Sequence, residues 1–592
     1  MGILNRAAFH MLFGDRKKKI GQFLHTATPG ESVNGWWHRM MNNAPNQKQL
    51  DSVLSDLHTC LIQETITSVT RQAVFDASSV RDSPQGQPYW TKKSFQTHLA
   101  STHPDTDIPD TAIDVLWSCF CFYAYHPFPL PGASNRKLEL PAFERGLILL
   151  SLQGTRLLGT LNDDGHGHYW GRSNEPCNCQ LRINRIFRSI SLIDRHSSSD
   201  SQGTIYDTLI TDDVIDAILP IFPAHPKLSP SLNQLKPLAE NFIKDRTDQY
   251  EMKFNDLASL LCLILRLRID KQTYSQEFHY GSFEKYSAEK EELSKILARS
   301  FCLGQDEYMA PDSVHRALYI LPNLEQCFHQ LWAIIFQPCT SPEIQKLETE
   351  SSLDISLNGI LRAVSFFIPP FQAHQKDELR RNVNLITFHK HYDSIPHGLT
   401  DTIHLNHILQ QTFHSDPNRR SQLVLFLGQQ DHDSKEVVVG LFFPSCTQTA
   451  AAKEEKGPDK TGQSRMPIPQ LLFQLQPRFC LFRWNGEANM SSSQAYDSAT
   501  GHTDHPHCIG DPNRSKVGVI FDSATRQATF LRGMATAVCR ISGGYEEVTG
   551  KYDRAETIDG DQQEQKTKFT VTRIAIFYVE GGPNYDYHWG IQ

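Results

Sequence analysis

Between Ser421 and Trp484 the chain carries four strand-length apolar runs, and this stretch constrains the fold more than any other. Ser421-Gln-Leu-Val-Leu-Phe-Leu-Gly428 and Glu436-Val-Val-Val-Gly-Leu-Phe-Phe443 are rich in β-branched and aromatic residues, and the polar Gln429 to Lys435 joins them, which predicts a hairpin. Leu471-Leu-Phe-Gln-Leu475 and Phe479-Cys-Leu-Phe-Arg-Trp484 follow, split by Gln476-Pro477-Arg478, so the four runs read as a meander. Leu423 to Leu427 and Leu441 to Phe443 do not alternate with polar residues. Strands of that kind are buried on both faces, at the centre of a covered sheet or sandwich.

The length of 592 residues predicts two or three domains, and 33 Phe, 18 Tyr and 8 Trp are enough to fill a sizeable core. A net charge of −8 with no strongly basic domain leaves no electrostatic footprint for nucleic acid. The 13 Cys are scattered and the first residues lead into a basic cluster instead of an apolar one, which predicts reduced thiols and a cytoplasmic protein. The longest apolar stretch, Leu257 to Leu265, is far shorter than the ~20 residues of a spanning helix, so no transmembrane segment is expected. Peripheral membrane contact has one handle: Gly2 stands where N-myristoylation occurs, and Arg16-Lys17-Lys18-Lys19 adds attraction to anionic lipid. Arg6 occupies the place where that motif wants Ser or Thr, and the basic run reads equally as a solvated face.

Before the strands, helical periodicity dominates. Leu50, Val53, Leu54, Leu57, Leu61 and Ile62 recur at the spacing of an amphipathic helix over Gln49 to Gln72. Thr91 to His98, Pro109 to Phe122 and Ala142 to Leu152 read as further helices, the second burying one face through Ile113, Leu116, Trp117 and Phe120. His103 to Asp110 looks like a calcium loop but lacks the glycine, the oxygen ligand and the closing glutamate, leaving a degenerate EF-hand-like pair or a helical bundle. Ser197 to Gly203 marks a linker by composition. Helical patterns then recur over Asp212 to Phe222, Pro230 to Lys244, Asn255 to Arg268 with Asn255 as N-cap, Glu289 to Ala298, Ser313 to Phe336 interrupted by Pro322, and Ser352 to Ile368. The expected division is a mainly helical region over 1–200, an all-helical domain over 205–370, and an α+β arrangement completed by a β-domain over 380–582. Exposed loop insertions are expected near 447–465 and 549–566.

Catalytic signatures are missing from the sequence: it has no nucleophile elbow, phosphate loop, zinc-protease helix or dinucleotide fingerprint. Three weaker constellations remain. His166, His168, Cys177 and Cys179 suffice chemically for zinc but lack the spacing of common structural sites, and read more simply as loop histidines and reduced thiols. The loop His502-Thr-Asp-His505-Pro-His507-Cys508 offers His505, His507 and Cys508 as candidate metal ligands, against the plainer reading of an exposed polar loop. A reactive thiol finds no support: Cys480 lies within a strand, Cys446 has no local cation, and Cys508 has no resolving partner nearby.

The C-terminal order of segments resembles the TLDc domain. Asn384 to His389, His397-Gly398 and Thr400 to Phe413 occupy the places of that family's opening strand, step and helix. Leu423 to Leu427, Val438 to Phe443, Leu472-Phe-Gln-Leu475, Leu481-Phe-Arg-Trp-Asn-Gly486 and Ile574-Ala-Ile-Phe-Tyr-Val579 are similar to its later strands. The Gly-rich run that usually precedes Val517-Gly-Val-Ile-Phe521 is reduced to Gly510 and Gly518, and the terminal strand lacks the usual Trp. A long helical N-terminal part after a Met-Gly start looks like the fungal restriction-of-telomere-capping type of the family. The resemblance implies an antiparallel β-sandwich flanked by helices, and a cytoplasmic protein, peripheral at the vacuolar membrane. It also implies a non-enzymatic regulator that binds the vacuolar proton-pumping ATPase and contributes to oxidative-stress resistance, without cofactors. The alternative is an antioxidant or metal-dependent enzyme using the loop from His502 to Cys508.

Overall fold

The computed structural model describes residues 47–64, 68–104, 106–130, 135–150, 177–194, 205–218, 232–243, 249–271, 280–301, 308–309, 317, 320–337, 355–368, 383–394, 421–430, 435–444, 470–484, 507–511, 517–522, 524–532, 545–549 and 566–583. Its contacts divide into two compact units, one formed by Met1–Met252, Ile269–Ser282 and His329–Gln345, the other by Lys253–Arg268, Phe283–Phe328 and Lys346–Gln592.

The first unit is mainly helical. Its elements are α1 (Gln47–Glu64), α2 (Ser68–Ser78), β1 (Tyr89–Trp90), α3 (Lys92–Thr102), α4 (Asp110–Ala124), β2 (Leu138–Glu139), α5 (Leu140–Leu150), α6 (Cys177–Ser189), β3 (Leu192–Asp194), α7 (Ile205–Ile218), α8 (Leu232–Ile243) and β4 (Gln249–Lys253). The periodic residues of α1 do what their spacing predicts: Leu50, Val53, Leu54, Leu57 and Leu61 are all buried. Leu50, Val53 and Leu54 pack in a cluster with Val214 and Ile215 of α7 and Leu235, Leu238 and Phe242 of α8. Helix α4 differs from expectation. It buries Ala112, Val115, Cys119 and the whole run from Cys121 to Ala124 as well as the four predicted positions, because apolar residues surround its axis. Its Phe120 lies among the rings of Phe95, Phe143, Trp332 and Phe336 at centroid separations of 5.0 to 6.4 Å, the offset and edge-on distances at which aromatic pairs attract. Thr91 caps α3 by accepting a hydrogen bond from the Ser94 amide at 3.3 Å.

The second unit combines helices with a large antiparallel sheet, so the chain is α+β. It begins with α9 (Phe254–Leu265), followed by β5 (Leu267–Lys271), β6 (Tyr280–Phe283), α10 (Ala288–Arg299), β7 (Tyr308–Met309), α11 (Leu324–Ile335) and α12 (Ile355–Ser365). β4, β5, β6 and α11 each cross a boundary between the units. The span 205–370 is therefore not all-helical: β4, β5, β6 and β7 interrupt it. The apolar run that predicts a helix to Arg268 ends at Leu265, and Leu267-Arg-Ile-Asp-Lys271 continues as a strand paired with β6. Lys253 occupies the N-cap of α9 and Asn255 falls within its first turn, because β4 leads straight into the helix. Pro322 does break the helical pattern, and α11 starts two residues later. The freed chain is held by the Asn323 side chain, which donates to the Ser365 and Ile368 carbonyls at 2.9 and 2.7 Å.

The sheet comprises β8 (Val383–Asp393), β9 (Ser421–Gln430), β10 (Glu436–Phe443), β11 (Leu471–Gln476), β12 (Cys480–Trp484), β13 (His507–Asp511), β14 (Val517–Phe521), β15 (Gln527–Arg532), β16 (Tyr545–Glu547) and β17 (Lys566–Pro583). Its order is β13-β14-β15-β17-β9-β10-β11-β12-β16, with β8 also on β17. The predicted hairpins form: Val438 opposes Leu427 across β9 and β10, and Leu472 opposes Phe482 across β11 and β12. The β14–β15 turn is closed by Asp522, whose carboxylate accepts from the Ala524 amide at 2.9 Å and the Thr525 hydroxyl at 2.6 Å.

The ladder is one continuous curled sheet. Phe482 of β12 and Phe530 of β15 lie 5.9 Å apart by ring centroid although four strands separate them in the ladder. Phe426 of β9 likewise meets Phe521 of β14 at 5.9 Å. The concave side is filled by Val424, Val439, Leu441, Val519, Val571, Ile574 and Ile576 with these rings. Phe473 is buried against Phe367, just beyond α12, at 4.8 Å, so β11 is covered by helical chain within the same unit. Both-face burial of β9 and β10, read from their unbroken apolar runs, is what the structure contains.

Candidate functional site

Two residues of the predicted metal loop fall within described structure, and they are not in a loop. His507 and Cys508 open β13, opposite Phe521 and Ile520 of β14. The ladder holds because Gly510 adopts φ of 105° directly opposite Gly518. A Cβ there would meet the Gly518 Cα at 2.8 Å and the Val517 carbonyl at 2.9 Å, so this position requires glycine. His502, His505, Cys446, Gly2, His166 and His168 lie outside the described residues. Cys177 and Cys179 begin helix α6. No group of three or more His, Cys, Asp or Glu with the placement of a metal site occurs among the described residues.

Five of the described cysteines are unbridged, and of these Cys262 is partly exposed. Cys119, Cys121, Cys327 and Cys480 are buried, and burial pushes the first three up from the ordinary thiol range. Cys480 accordingly occupies the strand interior that its sequence context predicts.

Sequence reasoning missed the buried polar centres. In the first unit, His98 and His103 hydrogen-bond through Nε2 to the Ile335 and Ile334 carbonyls at 2.9 and 3.2 Å, covering the last turn of α11. Burial lowers both histidines to about 4, so both donate as neutral imidazoles. His329, one turn and a half earlier on the same helix, bonds the Leu150 carbonyl at 2.7 Å. A second centre joins α6 to α7. Arg185 Nε and Arg188 Nη1 each donate to the Asp213 carboxylate at 2.7 Å, and Arg188 Nη2 donates to the Tyr250 hydroxyl at 3.2 Å. Burial works to raise the Asp213 carboxyl, and Arg185, His126 and Arg188 together overcome it and hold it below its usual range. His126 Nδ1 lies 3.8 Å from this carboxylate, and desolvation still lowers the imidazole to about 3.

The sheet has a matching centre. Asp393, at the end of β8, accepts from Arg573 Nε and Nη2 at 3.1 and 2.7 Å, a buried two-point ion pair, while Ser394 Oγ accepts from the Ile574 amide at 2.9 Å. This pair ties β8 to β17, the strand that also borders β15 and β9. One signal for such centres was available: Arg185 and Arg188 punctuate the apolar positions Ile183, Ile186 and Phe187 on one helix, a placement that demands a buried partner. These groups are turned to carbonyls and to one another, an arrangement that fixes elements in place.

No family model, no curated protein and no solved structure matches this chain. Among the described residues, no helix is long and apolar enough to cross a membrane.

Proposed function

We propose that the protein is a non-enzymatic regulator of the TLDc type that binds the vacuolar proton-pumping ATPase and, through it, contributes to oxidative-stress resistance. The observation that supports this reading is the placement of the segments that carry the resemblance. Leu423 to Leu427, Val438 to Phe443, Leu472 to Leu475 and Leu481 to Trp484 are consecutive strands of one sheet, and Ile574 to Val579 lies inside it beside β9. In this reading the two halves of the curled sheet, brought together by Phe482 with Phe530 and Phe426 with Phe521, are the layers of the family's β-sandwich, and α10 and α12 are its flanking helices. The inward side chains are apolar and tightly packed, which suits a rigid scaffold that presents loops to a partner.

The protein works in the cytoplasm and at the vacuolar membrane in this account. Purification of the tagged native protein from its own cells, with quantitative mass spectrometry of what accompanies it, tests the assignment. Pump subunits enriched over an unrelated tagged protein of equal abundance are expected. Their absence, with the chain shown to be folded, removes the assignment.

A further inference from the structure

Where α3 begins beside the segment leading into β2, the first unit contains a cleft of about 410 Å³ lined by Lys92, Lys93, Gln96, Asn135, Arg136 and Lys137. That volume falls within the range of small-ligand sites. Four of these side chains are cationic, none is acidic, and the chain as a whole carries a net charge of −8. The local sign therefore runs against the overall one.

The lysines are positioned from outside the cleft. Lys137 Nζ donates to both oxygens of Asp82 at 3.0 and 2.7 Å and sits 4.3 Å from the centre of the Tyr89 ring, whose hydroxyl also donates to Asp82. Lys92 is paired with Asp114 of α4. Neither carboxylate lines the cleft, so each restrains an ammonium group without filling the space it faces. These pairs are solvent-exposed, and exposed pairs are weak, so an incoming anion can add to them or displace them. The cleft is open to solvent, and the large apolar side chains exposed among the described residues are only Val80 and Tyr286, at 41% and 47%. With so little exposed apolar surface to enter a bilayer, a phosphorylated ligand suits these cations better than a lipid surface does.

We propose that this cleft binds a phosphate group, carried either by a small phosphorylated ligand or by a phosphorylated side chain of a protein. Lys92, Lys93, Arg136 and Lys137 supply charge, with Lys92 and Lys137 restrained by Asp114 and Asp82 and Arg136 lying 5.9 Å from the Tyr125 ring, and the Gln96 and Asn135 amides add neutral donors. The inference stands apart from the proposed pump partner.

Calorimetric titration of the whole chain at low and physiological ionic strength tests it, using pyrophosphate, a phosphoserine peptide with its unphosphorylated form, and vesicles containing anionic lipid. Saturable binding at one site is expected, weakened about tenfold or more by Lys93→Glu and by Arg136→Glu at unchanged thermal midpoint, with Lys93→Ala intermediate. Binding of the phosphopeptide alone assigns a protein source, and binding of pyrophosphate alone assigns a small ligand. Absence of saturable binding, equal affinity in the variants, or binding to vesicles without either phosphate probe overturns the proposal.

Discussion

Acidification should loosen the first unit through His98 and His103. Both rings are buried, at 1% and 5% exposure, and burial lowers each from an ordinary value near 6.5 to about 4. Between those values the unfolded chain binds protons that the folded chain does not, so stability rises with pH across the window and falls as pH is lowered from about 6.5 to about 4. Below about 4 both states are protonated at these sites and the contribution is exhausted. At about 1.4 kcal/mol per tenfold change in proton affinity, each ring accounts for about 3 kcal/mol over the window. His103 also disfavours a charge on His98, so the second protonation is harder than the first. Denaturant unfolding followed by tryptophan emission reads this directly, because Trp90, Trp117 and Trp332 are buried in the same unit. His98→Gln keeps an N–H able to reach the Ile335 carbonyl but removes the titration. The variant should lose about 3 kcal/mol of the wild-type difference between pH 7 and pH 4, whatever its stability at pH 7. An identical pH dependence in variant and wild type would refute the reasoning.

Other perturbations address the sheet and the thiols. Asp393→Ala leaves Arg573 charged and buried, and should destabilise the second unit by about 3–5 kcal/mol in denaturant melts, with β8 amides losing hydrogen-exchange protection first. Gly428→Ala places a Cβ 2.2 Å from the Thr570 carbonyl oxygen, in the backbone of a paired strand that cannot retreat; a loss on the order of 1–3 kcal/mol or more is expected in the same assay. Native alkylation followed by peptide mapping should leave Cys119, Cys121, Cys327 and Cys480 unlabelled until denaturant is added, since all four are buried. Removing Lys568 to Val579 takes away the strand that borders β15, β8 and β9, and should abolish both cooperative unfolding of the sheet and recovery of any pump subunit.

The strands were legible because their signal is local. Continuous apolar runs such as Leu423 to Leu427 name themselves, and Asp522 to Arg526 spells its own turn. The short strands β4 to β7 were not; for β5, Leu257 to Leu265 carries a helical pattern whose end is set by pairing of Leu267 to Lys271 with Tyr280 to Phe283, which no side-chain pattern announces. Hairpins could be read, but the curl could not, since Phe482 and Phe530 meet only once the whole ladder exists. The terminal segment, legible in the apolar run Ile574 to Val579, is a strand from Lys566 to Pro583, being lengthened at its far end by β8. The loop expected over 549–566 gives way at both described ends: Thr549 is buried and accepts from the Leu481 amide at 3.1 Å, and Lys566 already belongs to β17. Of the candidate ligands, His507 and Cys508 looked like loop residues because the pairing of β13 with β14 depends on the backbone at Gly510, which no pattern of side chains displays.

The most direct test of the central claim is recovery of the proton pump with the native protein, compared with Arg573→Ala, which breaks the pair between β8 and β17. The account predicts pump subunits enriched with the wild-type chain and reduced in the variant in proportion to its folded fraction. A folded wild-type chain that brings down no pump subunit contradicts it.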